Sequence, residues 1–235
     1  MRYTLRVFIS GGTGYIGQRL VRLLLERGHS VSALARSGSA GGLPKGATAV
    51  LGDALQASTF SDRIAPADTF VHLVGVSHPA PWKEREFRAV DLASVKASVT
   101  AAQAGRVKHF VYVSVAQPAP VMKSYIRVRA ECEAVIAGSG LNASILRPWY
   151  ILGPGHRWPV ILIPIYAFFE QFASTRDSAT RLGLVKIDQM VAALAWAVEN
   201  PSTGHRVISV PEIRKSAALR SDRGGDAADR AIAAR

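Results

Sequence analysis

Short apolar runs alternate with longer segments of helical periodicity over the first 148 residues. The helical segments cover 18–27, 84–104 and 125–137. The apolar runs predict six strands, at 7–9, 31–35, 47–51, 69–75, 109–114 and 143–147. Runs that are apolar nearly throughout are typical of parallel strands covered on both faces. The alternation predicts an α/β fold with a doubly wound parallel sheet, which binds its ligands at the carboxyl ends of the strands.

The first predicted strand leads through a glycine-rich turn directly into a helix. The glycines fit two spacings, Gly11-x-x-Gly14-x-x-Gly17 and Gly12-x-Gly14-x-x-Gly17. Such a turn lets a diphosphate approach the backbone, while the amides and the positive dipole end of the helix face the anion. An ordinary Gly-rich turn is the alternative. The predicted dinucleotide contacts are consecutive: Gly11, Gly12, Thr13, Gly14, Tyr15, Ile16 and Gly17.

Residues at the ends of the later strands extend this predicted site. Arg36 stands where an acidic residue would bind the adenosine ribose of NAD, and together with Ser37 it can hold the 2′-phosphate of NADP. We therefore expect NADP(H), with NAD as the alternative cofactor and a solvated arginine as the alternative role. Asp53 could bind the adenine amino group or cap the next helix. The other predicted cofactor contacts are Ala54, Val74, Gly75, Val113 and Pro148.

The pattern changes after Pro148. An apolar helix-like piece at 160–172 precedes a short strand at 184–187, and Asp188 is expected to be the N-cap of an amphipathic helix at 189–199. A last strand is predicted at 207–210. We expect a nucleotide-binding domain at 1–148, a small C-terminal substrate-side lobe at 149–215 with late elements that return to the sheet, and a loosely held tail at 216–235.

Composition narrows the class of protein. The 235 residues are 49% hydrophobic and carry a net charge of +12, which would suit nucleic acid, anionic lipid or a phosphorylated ligand. The basic residues are dispersed and form no nucleic-acid-binding motif, so we expect a generally basic surface and no nucleic-acid partner. The single cysteine, Cys132, and an N-terminus unlike a signal peptide fit a cytoplasmic protein. The histidines lack metal-ligand spacing, and the most apolar stretch is too short to span a bilayer.

Over about residues 4–210 the chain resembles the extended or atypical branch of the short-chain dehydrogenase/reductase superfamily. Within that branch it is similar to the NmrA-like and NAD-dependent epimerase/dehydratase-like proteins and to the Rossmann-type accessory subunit of respiratory complex I. The motifs that carry the resemblance are Ser10 to Gly17, Gly52-Asp53, Tyr112-Val113-Ser114, Tyr125-x-x-x-Arg129, and Leu146-Arg147-Pro148 with Gly153-Pro154-Gly155 beyond. The resemblance implies a Rossmann fold that binds a nicotinamide dinucleotide.

The resemblance also implies three catalytic residues. The superfamily uses a Tyr-x-x-x-Lys pair with a serine on the preceding strand, and here these positions hold Tyr125, Arg129 and Ser114. Residues four apart share a helix face, so the cation can lower the phenol pKa and bind the nicotinamide ribose. The phenol exchanges a proton with the substrate, whose carbonyl Ser114 orients, while hydride passes to or from the nicotinamide. Tyr125 and Arg129 are also predicted cofactor contacts. Arg129 departs from the pattern, because its planar guanidinium group is larger than the ammonium group of lysine and directs its N–H donors differently. A packed pair without turnover is the alternative.

An aromatic and aliphatic segment follows the sixth predicted strand. It consists of Trp149, Tyr150, Trp158, Ile161, Ile163, Ile165, Tyr166, Phe168 and Phe169. These residues could pack the small lobe, contact an apolar small-molecule substrate, or dock on a membrane or a protein. We expect an NADP(H)-dependent oxidoreductase that acts on an apolar carbonyl or quinone-like substrate. The alternative is a non-catalytic NAD(P)-binding redox sensor or an assembly and scaffold protein.

Overall fold

The computed structural model describes residues 3–77, 79–119, 121–154 and 182–216. In chain order the strands are β1 (Arg6–Ser10), β2 (Ser30–Ala35), β3 (Thr48–Leu51), β4 (Thr69–His72), β5 (His109–Val113), β6 (Ala143–Leu146), β7 (Tyr150–Leu152), β8 (Leu184–Lys186) and β9 (His205–Ile208). The longer helices are α1 (Tyr15–Glu26), α2 (Glu84–Glu86, Phe87–Leu92 and Ala93–Ala104 in succession), α3 (Lys123–Ala137) and α4 (Ile187–Glu199). The middle part of α2, Phe87–Leu92, is π-helical.

Seven of these strands form the main sheet, in the order β3-β2-β1-β4-β5-β6-β9. Every neighbouring pair is parallel, and Ser10 at the end of β1 stands opposite both Leu34 of β2 and His72 of β4. The strand order reverses at β1, so a crevice opens there at the carboxyl ends of β1 and β4. The predicted doubly wound parallel sheet is confirmed.

Both faces of the sheet are covered, which explains the continuous apolar runs. Along β1, Val7 and Ile9 belong to a buried cluster with residues of α1 and α4, whereas Phe8 belongs to the cluster on the opposite face, with α2 and α3. On that second face the rings of neighbouring strands are in contact, with centroids 5.1 Å apart for Phe8–Phe70 and 5.2 Å for Phe70–Phe110. Successive strand residues point to opposite faces, so a strand buried on both faces is apolar at every position.

The C-terminal half differs from the sequence prediction in three details. β7 was not predicted; it pairs in parallel with β8 in a separate two-stranded sheet. Asp188 is not the N-cap of α4, because the helix begins at Ile187 and Asp188 lies in its first turn. The cap interaction is made instead by Gln189, whose Oε1 accepts the Lys186 N–H at 2.9 Å. The last strand lies two residues earlier than predicted, and residues 210–216 are helical.

The predicted division into domains stays a prediction. α4 packs in the same buried cluster as α1, and β9 extends the main sheet, as expected for late elements that return to it. The helix-like piece at 160–172 and the tail from 217 onward lie outside the described residues. Within the described ranges, no helix is both long and apolar enough to cross a bilayer, and no cluster of His, Cys, Asp or Glu could hold a metal ion.

Candidate dinucleotide and active site

The glycine turn between β1 and α1 is tightly closed. Gly11 has φ +83°, and its carbonyl oxygen accepts the Gly14 N–H at 3.1 Å. A Cβ on Gly17 would overlap that same carbonyl oxygen and would lie 2.8 Å from the Cα of Gly12. Only glycine therefore allows the first turn of α1 to lie directly against the turn that precedes it.

The start of α1 is open to an anion. Gly14 is the N-cap and contributes no side chain, and the first turn of the helix contains no acidic residue. By helix geometry, the N–H groups of Ile16 and Gly17 have no acceptor within the helix. Among the described residues, a Cβ on Gly14 would meet a single atom within 4 Å, the Gly11 carbonyl oxygen at 3.2 Å. These groups fit a diphosphate, which needs N–H donors and close approach to the backbone.

Residues predicted to bind the adenosine half lie at the ends of β2 and β3. Arg36 and Ser37 are exposed directly after β2, and the Arg36 carbonyl oxygen accepts N–H bonds from Ser39 and Ala40 at 2.8 and 3.1 Å. Asp53, followed by Ala54, lies after β3, and its Oδ1 accepts the Leu55 N–H at 2.9 Å. Of the two roles left open for Asp53, capping the next helix is wrong, because the helical turn Ala57–Thr59 has Gln56 as its N-cap and Asp53 bonds within the turn before it. Adenine binding stays a prediction.

A cavity of about 240 Å³ opens at the carboxyl ends of β4, β5 and β6. Predicted contacts that follow these strands line it, namely Val74, Gly75, Val113, Ser114 and Pro148. Predicted contacts from helices also line it, namely Ile16, Tyr125 and Arg129. The structure therefore brings the predicted catalytic residues together with part of the predicted cofactor site, while the residues after β2 and β3 lie farther along the same edge of the sheet.

Arg129 is buried and held by several partners. Its Nη2 forms an ion pair with Asp91 Oδ1 at 2.7 Å, and its Nη1 donates to the Tyr112 hydroxyl at 2.9 Å and to the Val113 carbonyl oxygen at 3.0 Å. Burial opposes the charge, but the two phenols beside it, of Tyr112 and Tyr125, and the Asp91 carboxylate raise the pKa of Arg129 well above its usual value. Among the described residues, Arg129 Nε is buried without a hydrogen-bond partner.

Asp91 is a site residue that sequence reasoning missed. It is fully buried in the π-helical part of α2, and its Oδ2 accepts the Val76 N–H at 3.1 Å, which ties α2 to the loop after β4. Burial raises the pKa of Asp91, and Arg129 opposes this shift. The one available signal was a carboxylate whose immediate neighbours in the sequence, residues 89–90 and 92–93, are apolar. A Cβ on Gly75 would lie 2.6 Å from Arg129 Nη2, so this glycine also makes room for the ion pair.

Tyr125 packs its ring against Phe87, with centroids 4.9 Å apart, and the Arg129 guanidinium carbon lies 5.0 Å from the centre of the Tyr125 ring. Burial raises the pKa of the Tyr125 phenol, and Arg129 partly offsets this. The phenol is therefore protonated at neutral pH. It can donate a proton to a ligand in the cavity.

Ser114 is buried, and its hydroxyl donates to Glu133 Oε1 at 2.5 Å. The same oxygen accepts from Gln117 Nε2 at 3.0 Å and from Arg147 Nε at 3.1 Å. Glu133 was not predicted from the sequence, although its partner Arg147 belongs to the motif Leu146-Arg147-Pro148. The backbone is also held here, since the Ser114 N–H donates to the Leu146 carbonyl oxygen at 2.7 Å.

Residues 11–160, more than half of the chain, match a family described as NAD(P)H-binding. The chain belongs to this NAD(P)H-binding family. Solved structures agree with the fold. The Bordetella bronchiseptica enzyme WbmH, solved with NAD+, is 23% identical with a TM-score of 0.66, over 88% of this chain and 76% of that one. UDP-N-acetylglucosamine 4-epimerase from Bacillus cereus is 17% identical with a TM-score of 0.65, over 90% of this chain and 83% of that one. The match confirms the expected NAD(P)-binding domain, and the solved structures share the Rossmann-like fold that the resemblance implies.

Relatives of this NAD(P)H-binding protein include reductases and dehydrogenases. A 4-hydroxy-2-methyl-3-oxo-4-farnesyl-3,4-dihydroquinoline-1-oxide ketoreductase of Stigmatella aurantiaca is 27% identical over 63% of this chain and 51% of its own length. A 3-beta-hydroxysteroid dehydrogenase of Mycolicibacterium neoaurum is 32% identical over 46% of this chain and 31% of its own length. The photosystem II assembly factor Ycf39 of Synechocystis is 29% identical over 61% of this chain and 44% of its own length. The chain thus spans about half or less of the length of these relatives.

Proposed function

We propose that this NAD(P)H-binding protein is an NADP(H)-dependent oxidoreductase that acts on an apolar carbonyl or quinone-like substrate. The observation that carries the proposal is the shared cavity: Tyr125 and Arg129 line the same space as the strand ends next to the glycine turn. In an open α/β sheet, this crevice is where ligands bind. The single described cysteine, Cys132, is buried and free, which supports a reducing, cytoplasmic setting.

The nicotinamide, when bound, supplies or accepts the hydride. In carbonyl reduction, Tyr125 donates its hydroxyl proton to the substrate oxygen as the carbonyl carbon is reduced, and water then returns a proton to the phenolate. Burial keeps the Tyr125 pKa raised, so the acid form is available at neutral pH. Arg129 keeps its charge through its ion pair with Asp91 and stabilises the phenolate that proton donation leaves behind.

Two further features support the choice of ligands. Arg36 and Ser37 are exposed at the end of β2, where an adenosine 2′-phosphate would reach them, which favours NADP(H) over NAD(H). The substrate side of the cavity is mostly apolar, with Leu73, Val76, Met122, Trp149 and Ile151 in its wall. Two relatives are named for acting on a farnesylated quinoline oxide and on 3-beta-hydroxysteroids, which are large and mostly apolar molecules. A small-molecule substrate with one reducible oxygen on an apolar frame suits this wall.

The test is the loss of NADPH absorbance in the presence of a panel of apolar ketones and quinones. Tyr125→Phe is expected to lower the turnover number at least about 100-fold, the usual contribution of a general acid. Nucleotide affinity and thermal stability should stay close to wild type. Tyr3→Phe is the matched control, because the Tyr3 side chain is exposed. Full activity of Tyr125→Phe would contradict the assigned role.

A second candidate is a non-catalytic NAD(P)-binding sensor or assembly factor. It is favoured by the way both terminal nitrogens of Arg129 are engaged by Asp91, Tyr112 and Val113, which suits a structural ion pair. The relative named as a photosystem II assembly factor points in the same direction. Tight binding of NADPH without turnover of any compound in the panel would support this candidate. Docking on a protein or a membrane surface would then be the property to measure.

A further inference from the structure

The Glu133 carboxylate accepts hydrogen bonds from three side chains beside one wall of the cavity. Arg147 contacts both of its oxygens, through Nε at 3.1 Å and Nη2 at 2.5 Å, which makes a bidentate ion pair. Gln117 adds a third N–H bond, and Ser114 adds its hydroxyl at 2.5 Å. Glu133 and Ser114 are both buried, at 9% and 4% exposure. Ser114 also lines the cavity.

A serine hydroxyl has one proton and two lone pairs. A hydrogen bond to a carboxylate is roughly twice as strong as one to a neutral carbonyl oxygen, so a carbonyl ligand competes poorly for the Ser114 proton. The backbone of Ser114 is fixed to Leu146, so the side chain cannot move away with the loop. In a hydrogen bond with a ligand in the cavity, the Ser114 hydroxyl therefore acts as the acceptor.

We propose that Glu133 is a positioning residue that makes Ser114 a hydrogen-bond acceptor, and that this side of the cavity binds a ligand group that donates an N–H or an O–H. The inference rests on the proposed occupancy of the cavity by a nicotinamide dinucleotide and an apolar substrate. Two ligand groups have the required chemistry: the carboxamide N–H of the nicotinamide and the hydroxyl of an alcohol substrate. The proton for a carbonyl oxygen then comes from Tyr125, and Ser114 does not orient the carbonyl by donating to it.

The experiment measures equilibrium binding to the purified chain by calorimetry, with two pairs of probes that differ in one donor. The first pair is NADP+ and its 3-acetylpyridine analogue, in which a methyl group replaces the carboxamide nitrogen. The second pair is 1-tetralol and 1-methoxytetralin, each added with saturating NADPH so that no oxidation can occur. Each pair is measured with wild type, Ser114→Ala and Glu133→Gln. Ser139→Ala is the control, because its hydroxyl bonds to Ile136 at the end of α3.

Wild type is expected to bind the donor-bearing probe of at least one pair about three- to tenfold more tightly, the range for a neutral hydrogen bond. Ser114→Ala should reduce that preference to within about twofold, while Ser139→Ala retains it. Glu133→Gln should weaken the preference, because its neutral amide no longer holds the serine proton as strongly. If Glu133→Gln unfolds for lack of a partner to Arg147, Ser114→Ala decides alone, since it keeps the ion pair.

The pair that loses its preference identifies the source of the donor: the first pair indicates the carboxamide and the second the substrate hydroxyl. Absence of any preference in wild type, or a preference in both pairs that survives Ser114→Ala, overturns the inference. Neither measurement depends on catalysis. Binding with the expected preference but without NADPH oxidation would therefore reject the proposed oxidoreductase and keep the inference, and turnover without the preference would do the reverse.

Discussion

Replacement of Gly17 by alanine tests the packing on which the dinucleotide site depends. The new Cβ would overlap the Gly11 carbonyl oxygen and lie 2.8 and 2.9 Å from the Cα and carbonyl carbon of Gly12. Ordinary carbon contacts are about 3.5–4.0 Å, so α1 must move outward by about 1 Å or the turn must deform. The atoms in the way belong to the backbone, which cannot rotate aside as a side chain can.

The loss of stability expected for Gly17→Ala depends on the side chains that α1 buries. An outward shift lifts Leu20 and Leu24, both fully buried, from the face of the sheet. Overpacking a close-packed interior typically costs about 1–3 kcal/mol, and we expect about 3 kcal/mol here because no side chain can relieve the overlap. For a chain of this size that loss lowers the melting temperature by roughly 6–12 °C.

Urea unfolding followed by circular dichroism measures this loss, with Gly38→Ala as the matched control. In the part of the chain that the structure describes, no heavy atom lies within 4 Å of a Cβ on Gly38, so this control should stay within about 0.5 kcal/mol of wild type. Gly14→Ala separates binding from folding: Gly14 has φ −77°, which alanine accepts, yet its Cβ would enter the space proposed for the diphosphate. We expect near-wild-type stability for Gly14→Ala and at least about tenfold weaker NADPH binding. Equal unfolding midpoints for Gly17→Ala and Gly38→Ala would refute the reasoning.

Three further predictions concern ionisable side chains. Arg36→Ala should weaken NADPH binding by about 1–3 kcal/mol and leave NADH nearly unchanged in calorimetry, and equal losses would show that Arg36 does not read the 2′-phosphate. Arg129→Met leaves Asp91 buried without its cation and should cost about 3–5 kcal/mol of unfolding free energy in urea; a loss below about 1 kcal/mol would contradict the pairing. Burial, aided by Arg129, lowers the pKa of His72 to about 3, so His72 contributes stability that is present above its unfolded value of 6.5 and lost as pH falls toward 3. The unfolding free energy is therefore expected to fall by about 1.4 kcal/mol per pH unit in this range. Urea titrations at pH 7, 5 and 4 should show a smaller fall for His72→Gln, whereas His205→Gln, a control at an exposed site, should behave like wild type.

Most of the nucleotide half could be predicted because its signals are local. The strand at 7–9, the three glycines and the helix that follows are adjacent in the chain, and glycine is required at position 17 by backbone contacts with Gly11 and Gly12. The helix predicted at 84–104 has those same ends in the structure. Gly75 was also assigned to the site, although the structure adds a second reason for it, the space taken by Arg129.

The partners of the predicted catalytic residues could not be predicted in this way. Asp91 is 38 residues from Arg129 in sequence and reaches it only because α2 contains a π-helical turn and packs beside α3. Glu133 is 19 residues from Ser114 and accepts the hydroxyl proton of this serine, which was expected to orient the carbonyl. Spacing along one helix indicates which residues share a face, but it carries no information about which side chain of another element lies opposite.

The sequence by itself determined the type and order of the strands and longer helices in the nucleotide half, the parallel sheet and the position of the glycine turn. Periodicity and glycine spacing act through the backbone and are read within one or two elements. Only the tertiary structure decided which polar groups meet in the cavity: Arg129 with Asp91, and Ser114 with Glu133. These pairings join elements distant in sequence, and burial gives them their strength, because a buried charge or hydroxyl must find its partner within the protein.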